Sequence, residues 1–283
     1  MFMEARKLSF TIPEGFLERV MFATSTIPWV APKIKQISLL LDLCKSPEEA
    51  ELILHVIENF SYFDADKTSL ALEAIKCHIV NEWKLSPEDT CIVCKDIEGK
   101  TDSSAAIQQM IKTKFASEYI WKSNKNFKSN ISNVIKDKEF NNVVIVDDFS
   151  GTGKSLEKLF SWFKEKRKEA KKENMRLYAA FLGSMEKQSS IMSRIEISGV
   201  YVFEDLRKLI SDFFNEDDAK NKKNIMQKIA KNYGGISRRT SLGYDQSESG
   251  FAVQNLNTPN NVFPVIWKAT QNRDPIFPRT EKK

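Results

Sequence analysis

"VVIVDDFSGTGKSLEKLF", Val143 to Phe160, is the stretch on which the reading of this chain turns. An apolar run ends in two adjacent aspartates, Asp147 and Asp148. The small residues Ser150, Gly151, Thr152 and Gly153 follow. Then Leu156, Leu159, Phe160 and Phe163 recur at helical spacing. The pattern predicts a strand, a tight turn and an amphipathic helix. A turn of this kind brings backbone N–H groups to a helix N-terminus, where an anion is favoured.

Two carboxylates beside an anion cradle are an odd pair, because carboxylates repel phosphate. The pairing makes sense for a ligand with hydroxyls between its phosphate and its reactive end. A ribose 5-phosphate is such a ligand, with Asp147 and Asp148 accepting from its 2- and 3-hydroxyls. Two rival readings stand beside it. "GTGKS" suggests a nucleotide-binding loop of the form Gly, four residues, Gly-Lys-Ser/Thr, but the first glycine of that motif falls on Asp148. The other rival is an acidic turn with no ligand. An unliganded pair gains nothing for a core, so neutralising it is expected to be neutral or stabilising without ligand.

Working outward, "TCIVC" (90–94), "RLYAAFL" (176–182) and "GVYVF" (199–203) read as strands. "KSLEKLFSWFKEK", "EDLRKLISDFF" and "KNIMQKIAKNY" read as helices. Another helix opens in the small polar cluster 99–104, with Ile107, Met110 and Ile111 on one face. Such alternation predicts an α/β fold with a parallel sheet flanked by helices. In that architecture ligands sit beyond the carboxyl ends of the strands, where the aspartates lie. Upstream, Pro13, Pro28 and Pro32 break any long helix within residues 1–45. "SPEEAELILHVIENF" is then a helix with Ser46 as N-cap and Glu49 completing a capping box. "TSLALEAIKCHIVNEWK" predicts a second, capped by Thr68 or Ser69. The expected organisation is a mainly helical part over 1–85, a core over 86–233 and a C-terminal part over 234–283, with an edge strand at "GFAVQN".

The chain has 283 residues and a formal charge of +5, with 41% hydrophobic and 29% charged residues. That is enough chain for a sizeable core, and the mild basic excess permits an anionic ligand without demanding nucleic acid. "MFMEARKLSF" has no long apolar core, and no stretch is apolar enough to cross a bilayer, so a cytoplasmic protein without membrane contact is expected. Cys44, Cys77, Cys91 and Cys94 are too few for a disulfide scaffold. Cys91 and Cys94 fall on opposite faces of a predicted strand and read as buried thiols, so no protein metal site is expected. His55 and His78, the only histidines, lie within predicted helices. Arg238 and Arg239 read as a clamp for a phosphate or a partner's nucleic acid, or as solvated surface.

The sequence "VVIVDDFSGTGKS" resembles the phosphoribosyl-diphosphate (PRPP) loop of type I phosphoribosyltransferases, without a gap. The resemblance implies that Asp147 and Asp148 bind the ribose hydroxyls. It implies that Ser150, Gly151, Thr152, Gly153, Lys154 and Ser155 surround the 5-phosphate, and that Mg²⁺ accompanies PRPP. It places a diphosphate-binding loop after the earlier strand, at Gly99, Lys100, Thr101, Asp102, Ser103 and Ser104, without the usual Arg-Gly-Gly form. It also implies a mobile loop near 116–130, with Lys122 and Lys125 available. The tail "SLGYDQSESGFAVQNLNTPNNVFPVIW" and "PIFPR" is similar to the ending of phosphoribosyltransferase-like proteins of bacterial defence systems, including retron operons. Trp267 and Arg279 carry part of that match, and Asn257, Asn260 and Asn261 then line a base pocket in a C-terminal hood or form a turn network. This narrower resemblance implies an effector held by a reverse transcriptase with its DNA, and a helix-turn-helix protein as a further partner. The implied activity is transfer or cleavage at the ribose anomeric carbon; the alternative is a non-catalytic nucleotide sensor on the same fold.

Overall fold

The computed structural model describes residues 10–95, 103–117, 121, 124–137, 139–271 and 273–280. In chain order its elements are α1 (Phe16–Thr26), α2 (Ile34–Leu41), α3 (Pro47–Glu58), β1 (Ser61–Phe63), α4 (Ala65–Cys77), β2 (Thr90–Cys94), α5 (Ser103–Lys114), β3 (Phe127–Lys128), α6 (Ile131–Lys136), β4 (Asn142–Ser150), α7 (Lys154–Glu169), β5 (Arg176–Ser184), α8 (Gln188–Arg194), β6 (Gly199–Asp205), α9 (Glu216–Tyr233), β7 (Phe251–Val253) and α10 (Pro264–Trp267). A π-helical stretch, His78–Glu82, extends α4.

The chain divides into two compact units, one made of residues 1–64 with 207–283 and the other of residues 65–206. These points differ from the boundaries at 85 and 233 read from the sequence. The second unit holds a five-stranded parallel sheet in the order β3-β2-β4-β5-β6. β4 lies at its centre, and every one of its residues is buried. That is why Val143 to Val146 read as an unbroken apolar run: a central parallel strand is covered on both faces. Val143 and Ile145 join Leu156, Leu159, Phe160 and Phe163 of α7, Val134 of α6 and Ile191 of α8 in one core cluster. Helices α4 and α5 pack on the sheet as well, α5 against β2 and β4 and α4 against β5 and β6.

The first unit combines α1, α2 and α3 with α9, α10 and a parallel pair of short strands, in which Ser61 of β1 lies opposite Phe251 of β7. Trp29, Phe60 and Phe277 pack together at its centre, with ring centroids 5.0–5.5 Å apart. Ser46 caps α3 as expected, its Oγ accepting from Glu49 N at 3.4 Å, while Glu49 reaches back to Lys45 N. Two expected elements differ. The second helix begins at Ala65, so Thr68 is a buried interior residue and not a cap. Residues 204–214 are not a helix. β6 runs to Asp205, and then the N–H groups of Lys208, Leu209 and Ser211 donate to the Asp212 carboxylate, the Glu248 carbonyl and the Glu248 carboxylate. Glu248, distant in sequence, takes the donors of Leu209 and Ser211, and only isolated turns remain of the ladder that the periodicity predicted.

Both histidines serve packing. His55 Nε2–H donates to Leu209 O at 2.7 Å beside Phe213 and Phe214, and His78 stacks on Tyr201 with centroids 4.3 Å apart. Burial is the main cause holding both imidazoles below the usual histidine range. The sign follows from linkage. Above about pH 6.5 neither the folded nor the unfolded chain protonates them; below it the unfolded chain binds the proton first, so stability falls with pH. The urea midpoint therefore drops between pH 7 and 5.5. It drops less in His55→Gln and in His78→Gln, and equal drops in all three proteins would refute the assignment.

Candidate functional site

β4 carries Asp147 and Asp148 to the carboxyl end of the central strand, between β2 and β5. The side chains are almost fully enclosed, with Asp147 at 3% and Asp148 at 4% exposure. Carboxylates at such depth need partners. Asp147 Oδ2 accepts from Lys95 Nζ at 3.0 Å, and its Oδ1 accepts from Asp148 N at 3.0 Å. Asp148 Oδ1 accepts from Ser103 Oγ at 2.7 Å. Register explains Lys95: Cys94 lies opposite Val146, so the residue after β2 stands level with Asp147. The sequence reading missed Lys95, since nothing in one sequence says which strand neighbours β4. It also gave the pair no partners within the fold, and Lys95, Ser103 and the Asp148 N–H are such partners.

Of the expected diphosphate loop, Ser103 and Ser104 are brought to this spot at the start of α5. Ser104 Oγ accepts from Lys95 N at 3.1 Å. Gly99, Lys100, Thr101 and Asp102 lie outside the described residues, as does Lys122. Lys125 reaches Glu139 at 3.6 Å.

The turn is shorter than its sequence suggested. β4 continues through Ser150, which pairs with Ser184 and whose carbonyl accepts from Met185 N at 2.9 Å. Gly151, Thr152 and Gly153 alone join strand to helix, and Lys154 and Ser155 are exposed at the start of α7. A nucleotide-binding loop of the rival form needs a longer arc between strand and helix. Gly153 has φ 67°, the left-handed region that favours glycine. Above it lies an ion pair that the sequence reading did not foresee. Arg194 Nη2 donates to Glu186 Oε2 at 2.8 Å, and Arg194 Nε stands 3.8 Å from Glu157. A Cβ on Gly153 would come within 2.1 Å of Arg194 Nη2 and 2.2 Å of Glu186 Oε2. These are the far ends of flexible side chains, so backbone conformation constrains this glycine more than space does.

The asparagines of the tail do not converge. Asn257 Oδ1 accepts from Thr280 N at 2.7 Å, and buried Asn261 accepts from Ser247 Oγ at 2.7 Å through its carbonyl. Asn260 O accepts from Tyr244 N at 2.9 Å. Asn257 and Asn261 staple turns within the first unit, and Asn260 also lines a cavity there. Arg238 Nε donates to Gln227 at 3.0 Å, and Arg239 is exposed. The cysteines are free thiols, and burial pushes Cys91 up to about 12. No group of three or more His, Cys, Asp or Glu side chains able to hold a metal is present among the described residues. No helix there is long and apolar enough to cross a membrane.

No curated protein matches the chain. Among solved structures it is similar to Helicobacter pylori xanthine-guanine-hypoxanthine phosphoribosyltransferase, at 17% identity over 58% of this chain and 97% of that one, with a TM-score of 0.32. That score is too low to carry an argument about the site. The family comparison is decisive where the structural one is not: residues 44–279, well over half of the chain, match the PRTase-CE family, and the chain is a member of that phosphoribosyltransferase-like family.

Proposed function

We propose that the end of β4 binds PRPP or a related ribose-phosphate nucleotide and acts at the ribose anomeric carbon. The observation that carries this reading is a buried pair of aspartates, fixed by Lys95 and Ser103, at the mouth of a glycine turn that opens a helix. Asp147 and Asp148 accept the ribose hydroxyls. The N–H groups of the turn hold the 5-phosphate, and the start of α7 favours its charge. Lys95 and the Ser103 hydroxyl face the departing diphosphate side, and buried Ser104 holds Lys95 through the Lys95 backbone N–H. Stabilising charge as the glycosidic bond loosens needs no protein nucleophile.

The donor set fits Mg²⁺. The aspartates and Ser103 offer hard oxygen atoms, and Mg²⁺ with a phosphorylated substrate takes only one or two carboxylates from the protein. Bound there, the ion would neutralise diphosphate charge.

Gly153→Val tests the turn. A β-branched residue at φ 67° costs about 1–2 kcal/mol of backbone strain, so the variant remains folded. Calorimetry with PRPP and Mg²⁺ then shows binding lost, whereas undiminished affinity would remove the turn from the site.

The resemblance of the tail supports a biological setting as the effector of an anti-phage system such as a retron. Expression alone then slows growth, and co-expression with a neighbouring reverse transcriptase relieves it; harmless expression counts against this setting.

A further inference from the structure

The first unit contains a cavity of about 510 Å³ at the C-terminal end of α9, lined in part by Ser237, Thr240, Tyr244, Trp267, Lys268 and Arg279. No acidic residue is among its lining residues. Trp267 is buried, and its indole N–H donates to Val262 O at 2.8 Å, which fixes the ring. The Arg279 guanidinium stands 5.7 Å from the centroid of that ring, held through Nη1 by Thr258 O. Ser237 and Thr240 bring their hydroxyls together at 2.9 Å. The lining therefore holds an aromatic ring, two cationic side chains, two hydroxyls and the Asn260 amide.

The second aromatic residue of the lining, Tyr244, is held at cost. It is 50% exposed, unusual for so large a ring, and it sits in a strained loop. Asp245, Gln246 and Glu248 have φ of 55°, 51° and 53°, left-handed values uncommon for side-chain-bearing residues. Gly243, at φ 86°, has no alternative, because a Cβ there would lie 1.9 Å from Asn261 O. The loop is kept in place by bonds made elsewhere. The Glu248 carboxylate, 1% exposed, accepts from Ser211 N at 2.7 Å and Ser211 Oγ at 2.8 Å, and pairs with Lys223 at 3.0 Å. Tyr244 N donates to Asn260 O at 2.9 Å. Strain that persists because its surroundings over-determine it clusters at ligand clamps. Here it holds an aromatic residue in the lining of a cavity that has a second.

We propose that this cavity is a binding site for a nucleoside 5′-monophosphate. Tyr244 and Trp267 supply the apolar faces for a planar base, and Arg279 and Lys268, with the hydroxyls of Ser237 and Thr240, supply the donors for a phosphate dianion. The cavity volume lies within the range of small-ligand sites. This site belongs to the first unit and stands independently of the reading of β4.

Calorimetry of the full chain with AMP, GMP, CMP and UMP, and with adenosine and inorganic phosphate as partial ligands, tests it. At least one monophosphate binds tenfold or more tightly than either adenosine or phosphate. Tyr244→Ala weakens that binding by about tenfold or more, the usual worth of one aromatic platform for a base. Arg279→Gln weakens it comparably, and Lys268→Gln replaces it should Arg279→Gln fail to fold. Asp147→Asn with Asp148→Asn, which removes any binding at β4, retains a monophosphate site that Tyr244→Ala weakens. Absence of monophosphate binding at millimolar concentration overturns the proposal. So does wild-type affinity in Tyr244→Ala, and so does loss of binding in the aspartate variant, which would place the nucleotide at β4.

Discussion

Asp147→Asn together with Asp148→Asn abolishes the thermal shift that PRPP with Mg²⁺ gives the wild-type protein. Each carboxylate would accept a charge-assisted hydrogen bond from a ribose hydroxyl, worth about 1.5–3 kcal/mol. Losing both weakens binding by roughly a hundredfold or more. The unliganded variant melts lower than wild type, because Lys95, whose side chain is 19% exposed, loses the carboxylate it meets at 3.0 Å. The loss stays at about 1–3 kcal/mol, since a lysine stem can carry its ammonium towards water. Melting curves with and without ligand check both halves. A variant that shifts like wild type would show that the acidic pair does not read a sugar.

The larger effect on stability belongs to Lys95. Lys95→Met leaves Asp147, 4% exposed in its side chain, beside Asp148 with no cation at 3.0 Å. Removing one partner of a buried pair costs about 3–5 kcal/mol. For a chain of this size that lowers the melting temperature by roughly 6–20 °C. Adding Asp147→Asn to Lys95→Met recovers at least half of the loss, because the orphaned charge is gone. A melting temperature unchanged in Lys95→Met, or a double variant no better than the single one, would show that Lys95 merely lies near the aspartate.

The core of the second unit was legible because its signals are local. The apolar run at Val143–Val146 and the stripe at Leu156, Leu159, Phe160 and Phe163 each state their own period, and the structure buries all of these residues. The aspartates were legible for the same reason, as charges at the end of a run that no solvated strand would carry. What surrounds them was not. Lys95 reaches Asp147 only because β2 lies beside β4, and Glu186, just after β5, and Arg194, on α8, reach Gly153 only because β5 lies on the other side of β4. β1 is too short at Ser61–Phe63 to show a period, and exists because β7 lies beside it. The segment 204–214 has a helical pattern, but Glu248 takes its donors. Each miss has the same physical origin: the partner is distant in sequence and close in space.

The division of the chain has a consequence for the order of its synthesis. Residues 65–206 are continuous, whereas the first unit is split around them. A nascent chain that has reached residue 206 contains every strand of the five-stranded sheet and lacks β7, α9 and α10. Phe251, the partner of Ser61, emerges roughly 190 residues later. At ~5–20 residues per second, β1 waits about 10–40 s for its partner strand. During that interval Phe60 and Phe63, both buried in the finished protein, have no Phe277 or Phe251 to pack against. The sheet unit is complete about 2–9 s before Phe251 emerges, and the split unit, with its aromatic residues, is the part of the newborn protein most exposed to wrong contacts.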